Sequence, residues 1–137
     1  MPCCKSIIYI CMICITCMKH RGDTNELRFM LLYHELGYTI SKPIGDNAKY
    51  DVIVDNGINL ERIQIKSTTR KDIHKGSDAY SCLVCHGSAS KINYTKNDID
   101  FIVVYVIPEK TWYKIPVEEI KGKNVRLYPH RNPQKNN

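Results

Sequence analysis

No apolar run in this chain of 137 residues approaches the roughly 20 residues that a membrane-spanning helix needs. The longest, Ile7–Met18 (IIYICMICITCM), has twelve residues and is broken only by Thr16. Glycine and proline are sparse, at 7 and 6, which excludes a collagen-like or linker-like chain. Acidic side chains are in deficit, 14 against 20 Lys+Arg, and the net charge of +6 favours a polyanion partner without establishing one. Cysteine is scarce where a disulfide framework would need it. Five of the seven (Cys3, Cys4, Cys11, Cys14, Cys17) crowd the first 17 positions and only Cys82 and Cys85 lie in the body. An odd count so distributed speaks against a secreted disulfide scaffold. We expect a reducing cytoplasm, or a host-cell interior if the gene is viral, and no membrane partner.

What remains is an ordinary globular composition, 43% hydrophobic and 25% charged, long enough for one compact domain. Residues 1–17 form an apolar leader. With Lys5 ahead of it, the run is similar to a signal-peptide core, though no A-x-A-like site follows. It reads first as sequence ahead of a true start at Met18, and otherwise as a frayed extension or a membrane-surface segment. The domain is expected over residues 18–129 and a solvated tail over 130–137.

Asp23-Thr24-Asn25-Glu26 has the spacing of a capping box, and Leu27, Met30, Leu31 and His34 follow at helical intervals, with Leu36 extending the apolar face. Gly37 supplies a stop, so a helix is expected over Thr24–Leu36. Beyond it, Tyr38–Ser41 reads as a short extended segment and Pro43–Asn47 as a loop. Tyr50–Asp55 and Leu60–Ser67 read as strands around Asn56-Gly57, a hairpin signal. Lys71–Ser77 reads as a loop, Ala79–Val84 as a strand and Gly87–Asn97 as a polar connection. Phe101–Ile107 reads as a buried strand pairing with Trp112–Ile115 across Pro108-Glu109-Lys110, and Pro116–Ile120 as a short helical turn.

The hairpin concentrates the chemistry. Gln64 and Lys66 are two apart on one strand and share a face. A two-residue loop would set Asp51 opposite Arg62, and a four-residue loop, Asn56–Asn59, would set it opposite Gln64. Both registers have the same parity, so Asp51, Gln64 and Lys66 lie on one face in either case, with Val52, Val54, Ile63 and Ile65 on the other. An acid, an amide oxygen and an amine on one sheet face suit a metal-dependent phosphodiesterase. Mg²⁺ takes hard oxygen ligands and keeps several waters, and a lysine beside a bound water can orient it and offset charge developing on phosphorus. Glu26 could add a carboxylate if the helix packs over this face.

In order, Gly22-Asp23-x-x-Glu26, GDNAKYD (Gly45–Asp51) and RIQIKST (Arg62–Thr68) resemble the PD-(D/E)xK nuclease superfamily, and within it the group I intron-associated homing endonucleases. The likeness runs from about Met18 to Leu127 and includes Asn97–Ile120. It implies a restriction-endonuclease-like α/β core: a mixed β-sheet with a catalytic hairpin and an N-terminal helix packed on it. It further implies hydrolysis of double-stranded DNA with Mg²⁺ (or Mn²⁺). By position it implies Glu26, Asp51, Gln64 and Lys66 as catalytic residues, the first three as metal ligands. Gln64 departs from the usual carboxylate and is similar to what the intron-associated branch carries.

Lys42, Lys49, Arg70, Lys71, His74 and Lys75 surround this region and could track phosphates. Lys91, Tyr94 and Lys96 add a second basic-aromatic stretch. Cys82-Leu83-Val84-Cys85-His86 spells a c-type haem attachment pattern, and with Cys14/Cys17 a nominal zinc site, but a pair of half-buried strand-end thiols is the plainer reading. A DNA-binding remnant with a weakened metal site and a Holliday-junction-resolvase-like nuclease are the alternatives to a homing endonuclease. A chain this small would reach a long or symmetric site as a homo-oligomer, a dimer or tetramer.

Overall fold

The computed structural model describes residues 18–74 and 76–131; the apolar leader, Lys75 and the last residues of the expected tail lie outside them. In chain order the elements are helix α1 (Met18–Glu35) and strands β1 (Thr39–Ser41), β2 (Val52–Asp55), β3 (Leu60–Thr68), β4 (Tyr80–Leu83), β5 (Cys85–His86), β6 (Ile92–Asn93), β7 (Phe101–Val106), β8 (Thr111–Pro116) and β9 (Asn124–Leu127). Single 3₁₀ turns follow β7 and β8. Among the described residues no helix is long and apolar enough to cross a membrane.

Helix α1 begins earlier than the capping-box pattern implies. That box needs a non-helical residue at its head, whereas Met18–Asp23 are already helical. Thr24 Oγ1 donates to the carbonyl of His20 at 2.7 Å, a bond back one turn that competes with capping. The stop is where the glycine puts it. Gly37 adopts φ +91°, and the amides of Gly37 and Tyr38 close on the carbonyls of His34 and Tyr33 at 2.9 and 3.0 Å. The buried side of the helix also differs from the periodic reading. Phe29 is wholly buried, while Leu27, Leu31 and Leu36 are exposed. The sheet presents a flat apolar face of Val52, Val54, Ile63, Ile65 and Val103, and an aromatic slab covers it. Phe29 packs on Tyr33 and Trp112 with ring centroids 4.2 and 5.8 Å away. Large rings bury more area than the leucines could, and removing the Phe29 ring would cost about 3–5 kcal/mol.

Five strands form the main sheet in the order β1-β2-β3-β7-β8, antiparallel except for the parallel pair β3–β7. The β2–β3 hairpin takes the four-residue loop, with Val52 opposite Ile63 and Asp55 opposite Leu60. Asn56 Oδ1 accepts from the amides of Ile58 and Asn59 at 2.9 and 2.8 Å, and Gly57 supplies φ +85°. The parallel register is set by Arg62 and Asp100, just ahead of the first paired residues Ile63 and Phe101. The Asp100 carboxylate accepts from Arg62 Nε and Nη2 at 3.2 Å each and from its backbone N–H at 2.8 Å. Burial alone would raise the Asp100 carboxyl, but these donors hold it below the usual carboxylate range.

The second sheet face carries Ile102, Val104 and Val106 and is covered by Tyr80, Cys82, Val84, Ile99, Val117 and Leu127. Its cover is a two-stranded sheet, β4 with β9, beside a small β5–β6 hairpin. The stretch that reads as a polar connection after Gly87 therefore contains β6, and β9 has no counterpart in the sequence reading. Polar contacts also reach into the expected solvated tail: His130 lies 3.1 Å from Glu109, and Arg131 pairs with Asp78 at 3.2 Å.

Candidate active site

Asp51 immediately precedes β2. Its amide donates to the carbonyl of Ile63 at 2.9 Å, which anchors it at the mouth of the hairpin. Its Oδ2 accepts from Gln64 Nε2 and from the Ile65 amide, both at 2.7 Å. Burial pushes the Asp51 carboxyl up to about 6, and the negative charge of Glu26 adds to the rise. The Ile65 amide, the Lys66 charge and the Gln64 amide oppose it without winning. Asp51 thus carries negative charge that the protein alone undercompensates.

Gln64 presents its amide nitrogen to Asp51, the end that a carboxylate neighbour selects. A cation in the same place would select the carbonyl oxygen, so one side chain can serve either condition. Lys66, two residues on, bears on the same neighbourhood. Its charge acts on Asp51 and on the Cys82 thiol, and its Nζ lies 5.8 Å from the Tyr94 ring centre.

Glu26 arrives by a route different from the one expected. Helix α1 packs on the apolar face of the sheet, opposite Gln64 and Lys66. Glu26 nonetheless lines a cleft with Asp51, of about 470 Å³, whose other lining residues include Asp23, Lys42, Asp46 and Tyr50. Lys42 Nζ donates to Glu26 Oε2 at 2.8 Å, and that bond and the nearby acids favour the charged ammonium. Asp23, Asp46 and Tyr50 sit inside the segments that carry the resemblance, GDTNE and GDNAKYD, which is the signal that could have found them.

Among the described residues no three His, Cys, Asp or Glu side chains form a ready metal cluster. The oxygen donors gathered here are the carboxylates of Asp23, Glu26, Asp46 and Asp51 at the cleft and the amide of Gln64, bonded to Asp51. All are hard ligands, and the raised Asp51 carboxyl marks negative charge that a divalent cation would relieve. That set fits a hard divalent cation, with water completing the shell.

In the sequence Tyr94 is legible only as part of a basic-aromatic stretch. In the structure it is half-buried beside the site, its hydroxyl pushed up to about 12 by burial and by the Asp51 charge, with the His86 ring centre 4.6 Å from its own. Of the proposed phosphate contacts, Lys42 is engaged with Glu26, Lys49, Arg70, Lys71 and His74 are exposed, and Lys75 lies outside the described residues. Cys82 and Cys85 are free and fully buried, not half-buried, and burial pushes the Cys82 thiol up to about 11. Such a thiol is an unreactive packing group. Cys14 and Cys17, the other half of the nominal zinc pattern, lie outside the described residues.

A bacterial homing endonuclease, I-Ssp6803I, shares the fold with a TM-score of 0.70 and 24% identity, over 86% of this chain and 81% of that one. The Holliday junction resolvase Hjc of Archaeoglobus fulgidus matches with a TM-score of 0.50 and 14% identity, over 79% of this chain and 84% of that one. No curated protein sequence matches significantly. The family model for PD-(D/E)XK endonucleases matches residues 16–137. A match of that length rests on far more than the few letters of the motif: the chain belongs to the PD-(D/E)XK endonuclease family and is a nuclease, of a kind that generally depends on a divalent metal.

Proposed function

We propose that the chain is a Mg²⁺-dependent endonuclease that hydrolyses phosphodiester bonds of double-stranded DNA, acting as a homing endonuclease. The observation that carries this reading is the meeting of Glu26 and Asp51 at one cleft, with Gln64 hydrogen-bonded to Asp51 and Lys66 on the same sheet face as Gln64. Glu26, Asp51 and the Gln64 carbonyl oxygen would hold the ion. When bound, it supplies Lewis-acid polarisation of the scissile phosphate and a water of lowered pKa.

The protein's own contributions follow from the geometry. The Ile65 amide fixes Asp51 Oδ2, so this carboxylate is preorganised by backbone. Gln64 turns its amide to exchange N–H for C=O toward the cleft, which costs its bond to Asp51. Lys66 orients the attacking water by hydrogen bonding and offsets the charge that grows on the phosphate oxygens. The exposed Lys49, Arg70, Lys71 and His74 carry the flanking phosphates. A homo-oligomer, each copy supplying one such site, would cut both strands.

The test is incubation of supercoiled plasmid, linear duplex and a four-way junction with the protein in Mg²⁺, in Mn²⁺ and in EDTA, followed by end mapping. Cleavage of duplex at defined ends with metal, and none in EDTA, is the expected result. Cutting confined to the junction would favour the resolvase reading, and binding without cutting would reduce the chain to a DNA-binding remnant.

A further inference from the structure

Lys42 stands immediately after β1, at the start of the loop that leads to Asp51, and its side chain is half exposed. Nothing in its burial forces it inward. Its Nζ nevertheless lies 2.8 Å from Glu26 Oε2, inside the cleft. Among the described residues lining that cleft, Asp23, Glu26, Asp46 and Asp51 are anionic and Lys42 is the one cation. Both proposed ligand carboxylates are therefore occupied from within: Glu26 by the Lys42 ammonium, Asp51 by the Gln64 amide. In each case a donor sits on an oxygen that a hard cation would take.

We propose that Lys42 is the internal counter-cation of the metal-free site: it holds Glu26 until a divalent ion displaces it, and the freed ammonium then takes a DNA phosphate. This deepens the metal-nuclease reading and rests on it. The physical basis is exchange. An ion entering the cleft must break the Lys42–Glu26 pair and is repelled by an ammonium that stays nearby, so Lys42 weakens metal binding to the free protein. A phosphate gives the ammonium a new partner and removes that penalty. Metal and DNA then promote each other's binding through one side chain, and the coupling is reciprocal.

Calorimetric titration of Mn²⁺ or Mg²⁺ into the metal-free full chain, without DNA, separates the outcomes. Lys42→Met should bind the ion on the order of tenfold more tightly than wild type, through loss of both the competing pair and the repulsion. Lys42→Arg, which keeps the charge, should stay near wild type. In a second arm, duplex affinity is measured against salt in a Lys66→Ala background, with Mg²⁺ and with EDTA. Metal should steepen the slope of log affinity on log salt by about one phosphate contact, and Lys42→Met should abolish that steepening. Equal or weaker metal binding by Lys42→Met overturns the proposal while leaving the nuclease reading in place. A slope that metal does not change overturns the release step. Failure of both wild type and Lys42→Met to bind either ion overturns this proposal together with the metal site itself.

Discussion

Asp51→Asn should make the metal-free protein more stable while removing its metal-dependent activity. The Asp51 carboxyl is raised from 3.8 to about 6, chiefly by burial and then by Glu26. A carboxyl raised that far costs the folded state roughly 3 kcal/mol when ionised, as an upper bound. Asparagine resembles the protonated acid: its oxygen still accepts from the Ile65 amide, and Gln64 can turn its own oxygen toward the new amide nitrogen. A gain of about 1–3 kcal/mol at pH 7 is expected, worth roughly 3–15 °C in melting temperature for a domain of this size. The penalty in wild type is absent below the unfolded value of about 3.8, grows as pH rises and is complete above about 6. The advantage of the variant should therefore be full at pH 7 and vanish near pH 4. Urea or thermal melts in EDTA between pH 4 and pH 8 measure it. A variant less stable than wild type at pH 7, or a gap independent of pH, would refute the claim that Asp51 is an undercompensated charge.

Gln64→Leu should collapse metal-dependent cleavage by removing the ligand oxygen. Gln64→Glu should cleave at lower Mg²⁺ than wild type but melt at lower temperature in EDTA. There the 2.7 Å contact with Asp51 loses its donor and becomes two acids facing each other; identical metal dependence in wild type and both variants would remove Gln64 from the site. Lys66→Ala should lower the cleavage rate by about 10²-fold or more with duplex affinity changed little, because its task lies in the transition state. A matched fall in both, read by rate and by binding isotherm, would make it a phosphate anchor. Gly87→Ala should destabilise the fold by about 2 kcal/mol or more, checked by chemical denaturation. Gly87 has φ +95°, and a Cβ there would lie 2.2 Å from the Ser90 carbonyl oxygen.

Local rules make a good part of the molecule legible in its amino-acid sequence. Strand side chains alternate with period two, so Asp51, Gln64 and Lys66 had to share a face in either hairpin register, and the buried set Val52, Val54, Ile63 and Ile65 followed with them. Gly37 ends the helix because a left-handed residue is needed there, and Lys110, at φ 50°, turns the β7–β8 connection at the Pro108-Glu109-Lys110 break. The ordered segments also carry the family.

Contacts distant in sequence have no local signature, and tertiary packing alone decided them. The parallel pairing of β3 with β7 depends on Arg62 meeting Asp100, thirty-eight positions away. The pairing of β4 with β9 joins Tyr80 to Leu127. Helical periodicity pointed to the face of Leu27 and Leu31, and the aromatic area of Phe29 against the sheet chose another. The same choice brought Glu26 to Asp51 and Lys42 to Glu26, and the packing of the β5–β6 hairpin brought Tyr94 to Lys66. Periodicity determines which side of an element a residue occupies. Which other element lies against that side depends on the free energy of burying complementary surfaces, a quantity spread over the whole chain.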